Sequence, residues 1–193
     1  RAGQALRGGI PLCWPWFGEA SRNPQAVQEC INSDSVSAHG IVRNQLWDLI
    51  EVEIIDSGHS RLTLSLKLEN EPAWPYSCEL QLTIDISAQL ELNWKISNLS
   101  QQTLAFSGAM HSYFAVSEID QLTVNGLQNV GFIDCLDEWQ HKSEAEPVRI
   151  NREVDRIYQG NSKTISLIDN GWQRVIAINC QGSNSAVLWN PWI

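Results

Sequence analysis

Three features of the sequence predict an all-β fold, a large antiparallel β-sandwich. Apolar residues recur at every second position, turn-forming residues cut these runs into short lengths, and only one brief segment suits a helix. The clearest run is Arg61–Glu69, where Leu62, Leu64, Leu66 and Leu68 alternate with polar residues. Glu79–Ser87 repeats the pattern with Leu80, Leu82, Ile84 and Ile86, and Gln89–Ser97 with Leu90, Leu92, Trp94 and Ile96. Alternate side chains of a strand share a face, so each run buries one face and wets the other; a helix would scatter the same leucines round its axis.

Further strands are expected over Leu46–Ile55, Thr103–Gly108, Gln121–Val124, Lys163–Ile168, Arg174–Asn179 and Ala186–Trp189. Turn signals fall between the runs at Asp56-Ser57-Gly58, Asn70-Glu71-Pro72, Asn98-Leu99-Ser100, Gln159-Gly160-Asn161, Asn170-Gly171 and Gln181-Gly182-Ser183. Short turns join neighbouring strands antiparallel. A short helix is expected around Pro24–Ile31, and Glu19–Ser37 reads as a surface loop.

The 193 residues, 43% of them hydrophobic, suffice for one core, and a single domain over 1–193 is expected. The formal net charge of −9 disfavours nucleic acid and anionic membrane as partners, while leaving room for a small anion held by a few arginines. No secretory leader or long apolar run is visible. The five cysteines are scattered without a C-x-x-C pair, which reads as reduced thiols and a cytoplasmic location. The chain opens without Met on a loop-like R-A-G-Q-A-L-R-G-G and stops at Asn190-Pro191-Trp192-Ile193, directly after a strand-like run. A piece of a longer sandwich, lacking terminal strands at both ends, is therefore expected.

Four segments could carry chemistry. In Leu6–Gly18, Arg7 precedes two glycines and a Trp/Phe/Pro cluster, so the backbone can approach a ligand closely; a structural ion pair is the alternative for Arg7. In Ala38–Asn44, His39 and Arg43 bracket Gly40, and an exposed Arg at a strand start is the ordinary alternative. In Ala109–Phe114, His111 follows the expected strand Thr103–Gly108, where a structural histidine is the ordinary alternative. In Glu153–Tyr158, Asp155 can pair with a neighbour or reach a ligand.

Taken in order, R-G-G-I-P-L-C-W-P-W-F-G (7–18), H-G-I-V-R-N (39–44), H-S-Y-F (111–114), E-V-D-R-I-Y (153–158) and V-L-W-N-P-W (187–192) resemble the hexose-6-phosphate mutarotase branch of the aldose 1-epimerase family. The resemblance covers essentially the whole chain, and the R-G-G-I-P and W-P-W-F-G pieces are its most specific part. It implies a galactose mutarotase-like supersandwich that interconverts α and β anomers of a hexose 6-phosphate, glucose 6-phosphate foremost. It implies His111 as the acid that serves the ring oxygen, a role suited to a group titrating near neutrality. Arg7 and Arg43 are implied in substrate binding and are assigned here to the phosphate, whose oxygens a guanidinium fork holds in pairs. Asp155 is implied as a sugar contact, and His39 as a pocket-lining residue beside Arg43.

Trp14, Trp16 and Trp189 either pack beneath the sugar or fill the core, which is the usual role of buried aromatics. No cofactor and no metal are needed by this chemistry, and a monomer is expected. The family's basic Glu follows the N-P-W stretch, so the resemblance places it beyond residue 193. Ile41-Val42 stand where the family carries Phe-Ala, an apolar exchange. Two other readings remain open: a mutarotase of unphosphorylated aldoses such as galactose, and a non-catalytic sugar-phosphate-binding protein on the same fold.

Overall fold

The computed structural model describes residues 7–160 and 164–192. Residues 1–6 of the opening loop, Asn161 of the expected turn, the expected strand start Lys163 and the terminal Ile193 lie outside the described residues. The chain forms two compact units, Arg1–Tyr113 and Phe114–Ile193.

In the first unit the expected strand Leu46–Ile55 becomes β2 (Asp48–Asp56) and the three period-two runs become β3 (His59–Leu68), β4 (Cys78–Ile86) and β5 (Leu90–Asn98), following a short β1 (Leu12–Cys13). They form one antiparallel sheet in the order β2-β3-β4-β5. Its register aligns the apolar face into rows: Leu64 with Leu82 and Trp94, Leu66 with Leu80 and Ile96, Leu68 with Cys78. Trp14, Trp16 and Trp74 are fully buried in the cluster that holds Leu66, Leu68 and Leu80. Two of the three tryptophans weighed as sugar platforms are thus core residues, whereas Trp189 is half-buried.

The expected strand Thr103–Gly108 is not one, because its polar groups bond to loops instead of to a neighbouring strand. The Ala105 amide meets Cys30 Sγ at 3.4 Å, and the Ser107 amide donates to the Pro15 carbonyl at 3.0 Å. The strand begins just beyond, as β6 (Ala109–Met110), and it pairs antiparallel with β1. The expected helix at Pro24–Ile31 shortens to a single turn, α1 (Gln25–Gln28).

The second unit holds β7 (Leu122–Asn125), β8 (Phe132–Asp134), β9 (Gln140–Lys142), β10 (Val148–Arg149), β11 (Val154–Gln159), β12 (Thr164–Asp169), β13 (Arg174–Asn179) and β14 (Ser185–Asn190). They make two antiparallel four-stranded sheets, β10-β7-β12-β13 and β14-β11-β8-β9. Alternation in β11 sends Val154, Arg156 and Tyr158 inward and leaves Asp155 and Ile157 half-buried on the other face. The buried Arg156 is kept charged by a two-pronged contact with Glu144 at 2.9 and 3.0 Å, and its guanidinium lies 4.5 Å from the centre of the Phe132 ring. Among the described residues no helix is long and apolar enough to cross a membrane.

Leu80 is fully buried at the middle of a cross-strand row. Leu80→Ala is expected to lower unfolding stability by about 2–5 kcal/mol, the usual cost of emptying a core leucine site, as measured by urea titration.

Candidate active site

Three chain segments build the site in the first unit, with the W-P-W-F-G stretch in the middle. On one side, β1 and β6 pair Leu12 with Met110 and Cys13 with Ala109. The pairing continues toward the R-G-G motif, with the His111 amide donating to the Pro11 carbonyl at 2.9 Å and the Tyr113 amide to the Gly9 carbonyl at 3.0 Å. On the other side, Trp14 bridges Gly40, and the amides of Ile41 and Val42 converge on the Trp14 carbonyl at 2.9 and 3.3 Å. Trp16 adds an indole N–H bond to the Ser37 carbonyl at 2.9 Å. The R-G-G-I-P, W-P-W-F-G, H-G-x-x-R and H-S-Y motifs are therefore one hydrogen-bonded assembly.

The glycine of H-G-x-x-R follows from this packing. A Cβ on Gly40 would sit 2.1 Å from the Trp14 carbonyl oxygen, and Gly40 has φ of 69°, a left-handed conformation that side-chain-bearing residues avoid.

His39 and His111 come from the two outer segments and face each other edge to ring at 5.9 Å between centroids. Phe17, from the middle segment, lies 5.0 Å from His39 and 6.5 Å from His111. Tyr113 stacks on His111 at 4.7 Å with an 18° interplanar angle. Both imidazoles are half-buried, so each keeps a route to solvent. His39 Nδ1 accepts the Gly18 amide proton at 3.2 Å. That bond requires a lone pair on Nδ1, which leaves a neutral ring carrying its proton on Nε2. Burial, and then the positive Arg43 and neighbouring His111, lower the pKa of His39 and favour the same neutral form.

Arg43 is exposed, and its guanidinium donates to the Ala38 carbonyl at 3.0 Å. It also borders a cleft of about 270 Å³ lined by Ile10, Pro11, Val42, Trp47 and Leu82 among others. Neither His39 nor His111 is part of that lining. Arg7 is exposed, two residues before the Gly9 carbonyl that pairs with Tyr113. His39, His111, Arg7 and Arg43 thus belong to one unit, on chain segments hydrogen-bonded to residues 9–18 or running directly into them.

Asp155 lies in the second unit, on β11. It stands opposite Trp189 of β14 on one side, and on the other the Cys135 amide donates to its carbonyl at 2.9 Å. Burial pushes the Asp155 carboxyl up, the Cys135 thiol bonds to it and pulls it down, and Glu153 and Asp134 raise it further. Sequence reasoning does not single out Phe17, Tyr113 or Cys135. Alternation gives a signal for Tyr113, two positions from His111 on an extended segment; Phe17 and Cys135 carry none without the fold. Among the described residues no group of three or more His, Cys, Asp or Glu could hold a metal ion.

Antiparallel sheets and, in the first unit, a half-buried pair of imidazoles define an all-β protein with a candidate proton-transfer site. The chain belongs to the aldose 1-epimerase family, whose model matches residues 2–193. It is 29% identical, over 98% of its length, to a Cenchrus ciliaris protein named "Putative glucose-6-phosphate 1-epimerase", and 28% identical, again over 98%, to one of the same name from Escherichia coli strain K12. The chain spans 57% and 60% of those two relatives, less than two thirds of their length. A crystal structure of a "putative mutarotase" from Salmonella typhimurium superposes with a TM-score of 0.84 at 26% identity, covering 100% of this chain and 60% of that one. The all-β fold of antiparallel sheets expected from the sequence is therefore the observed one, and it is shared with that protein.

The raised pKa of Asp155 yields a stability prediction. A carboxyl whose folded pKa lies above its unfolded value contributes stability while protonated and loses it as pH rises through the folded value, so ionised Asp155 costs stability near neutrality. Asp155→Asn is expected to keep or raise the melting temperature at pH 7, by up to about 2–4 °C. The difference from wild type should vanish on acidification through the carboxylate range, as read by calorimetry across pH.

Proposed function

We propose that this protein is a mutarotase of hexose 6-phosphates, with glucose 6-phosphate as the leading substrate. The observation that carries the reading is the His39–His111 pair, half-exposed and set in the same unit as two exposed arginines. The names borne by the relatives support the phosphosugar, and Arg7 and Arg43 supply guanidinium groups suited to its phosphate.

Mutarotation opens the pyranose ring and recloses it on the other face of C1. A base takes the proton of the C1 hydroxyl, the C1 carbonyl forms, and the C1–O5 bond breaks with its electron pair going to O5. His111 donates a proton to O5 as that bond breaks. After rotation about C1–C2 the steps reverse, so His111 retakes the proton while O5 attacks the opposite face of the aldehyde. Neutral His39 offers its Nε2–H to a sugar oxygen. One placed proton transfer is worth about 10²–10⁴-fold in rate, enough for a reaction that already proceeds in water.

Magnetisation-exchange NMR on the full-length protein tests this. Glucose 6-phosphate anomers should exchange faster than in buffer, and His111→Ala should cut kcat by about 10²–10⁴-fold with binding held within several-fold. Exchange no faster than in buffer rejects the activity; tight binding without exchange would instead indicate a sugar-phosphate-binding protein.

Arg43→Ala separates phosphorylated from plain hexoses. It is expected to raise KM for glucose 6-phosphate by about 10–100-fold, the worth of a bond to a charged group, and to leave any turnover of galactose unchanged. Equal losses on both substrates would remove Arg43 from the phosphate.

A further inference from the structure

The peptide plane between Phe17 and Gly18 lies at the centre of a small polar network. Its N–H, on Gly18, points at His39 Nδ1 at 3.2 Å. Its carbonyl, on Phe17, accepts from the Asn23 side-chain amide at 3.0 Å. Asn23 Nδ2 also donates to the Glu19 carbonyl at 2.9 Å, and Asn23 Oδ1 accepts from the Ser107 hydroxyl. Ser107 Oγ in turn accepts the Phe17 amide at 2.9 Å, while the Ser107 amide holds the Pro15 carbonyl at 3.0 Å. Every polar atom of the Asn23 amide assignment is consistent: nitrogen faces two carbonyls and oxygen faces a hydroxyl.

A trans peptide is rigid, with its C=O and N–H pointing in opposite directions. Fixing the Phe17 carbonyl therefore fixes the Gly18 N–H. The fixing is needed because Gly18 is a glycine at φ of 65°, where the preceding peptide can rotate cheaply. The rotated plane would turn the Phe17 carbonyl toward His39 Nδ1. The imidazole would then have to put its proton on Nδ1 and turn a bare lone pair at Nε2 outward. His39 cannot easily evade the choice, since its own amide is held by the Gly18 carbonyl at 2.9 Å and its φ of 68° is left-handed.

We propose that Asn23 and Ser107 are positioning residues that act through the Phe17–Gly18 peptide to set the tautomer of His39, so that it presents Nε2–H as a donor beside His111. The consequence for catalysis rests on the mutarotase reading above; the tautomer itself does not. Both belong to the loop and the unpaired stretch that flank the three-segment assembly, and their side chains bond to the Phe17 and Glu19 carbonyls, the Phe17 amide and each other.

The experiment is histidine-selective ¹⁵N NMR of the full-length protein at neutral pH, with amide exchange of Gly18 and anomer-exchange kinetics on the same samples. In wild type, His39 should show an unprotonated Nδ1 and a protonated Nε2. Asn23→Asp is isosteric but turns a carboxylate oxygen toward the Phe17 and Glu19 carbonyls. It should raise the Nδ1–H fraction of His39 at least several-fold and speed Gly18 amide exchange by about tenfold or more. Ser107→Ala should shift both readouts the same way, and Ser107→Thr, which keeps the hydroxyl, should restore them. With glucose 6-phosphate, KM should rise several-fold in Asn23→Asp while kcat changes less than about twofold.

A wild-type His39 protonated on Nδ1 overturns the proposal without any variant. So do unchanged His39 and Gly18 signals in both Asn23→Asp and Ser107→Ala. A wild type that shows the tautomer switch on mutation yet no anomer exchange sinks the mutarotase reading alone and leaves the positioning role standing.

Discussion

The candidate site depends on the hydrogen bonding of residues 12–18 along both of their edges. One edge carries β6 and its continuation to Tyr113; the other carries Gly40 and the amides that follow it. The two histidines sit on opposite flanking segments, and no local propensity would bring residues 39 and 111 to a ring separation of 5.9 Å. The middle segment does so, because each flank is pinned to it within a residue or two of its histidine. The fully buried Trp14 and Trp16 anchor that segment in the leucine core of the sheet. Core packing in the first unit and histidine placement are thus one constraint, and a loss of packing beneath Trp14 would be felt at both rings.

This linkage explains why the motifs are small and separated. Gly40 is needed where the chain crosses within contact distance of the Trp14 carbonyl. Gly9 and Gly18 sit at φ of 70° and 65°, on either side of the segment they terminate. Between them the sequence is apolar and aromatic, as a buried three-segment assembly requires. The second unit works differently. There Asp155 is set by simple alternation on β11, whose inward neighbours are Val154, Arg156 and Tyr158, and its carboxyl is tuned by Cys135 across the sheet.

The long strands were legible because period-two alternation survives in one dimension. Leu62 to Leu68 and Leu80 to Ile86 read as strands without any partner, and the sheet pairs them in register. The short ones were not. β1 is two residues long, lies among proline, glycine and tryptophan, and exists only because β6 is opposite it. Thr103–Gly108 shows the converse: its sequence suits a strand, but Cys30, Pro15 and Phe17 take its polar groups first. Among the candidate residues, the motifs exposed His39, Arg43 and His111 in the first unit and Asp155 in the second by residue type. Tyr113 had only its alternation with His111 to mark it, and Phe17, Cys135, Asn23 and Ser107 stayed hidden, since a phenylalanine in an aromatic cluster or an asparagine in a loop has many ordinary explanations.

Local rules fail where the candidate chemistry is. His39 occupies a left-handed conformation that costs a side-chain-bearing residue on the order of 1 kcal/mol or more. Asp155 holds a carboxyl half out of water against its ionisation preference. Both positions would be easier to satisfy with other residues: glycine or asparagine at 39, and a neutral side chain at 155. Neither histidine nor aspartate is demanded there by the β scaffold. A fold settles such residues only when surrounding bonds over-determine them, as the paired Gly18 contacts do for His39. At Asp155 the Cys135 thiol offsets part of the cost of burying the carboxyl. Strain that surrounding contacts hold in place points to selection on what the side chain can donate or accept.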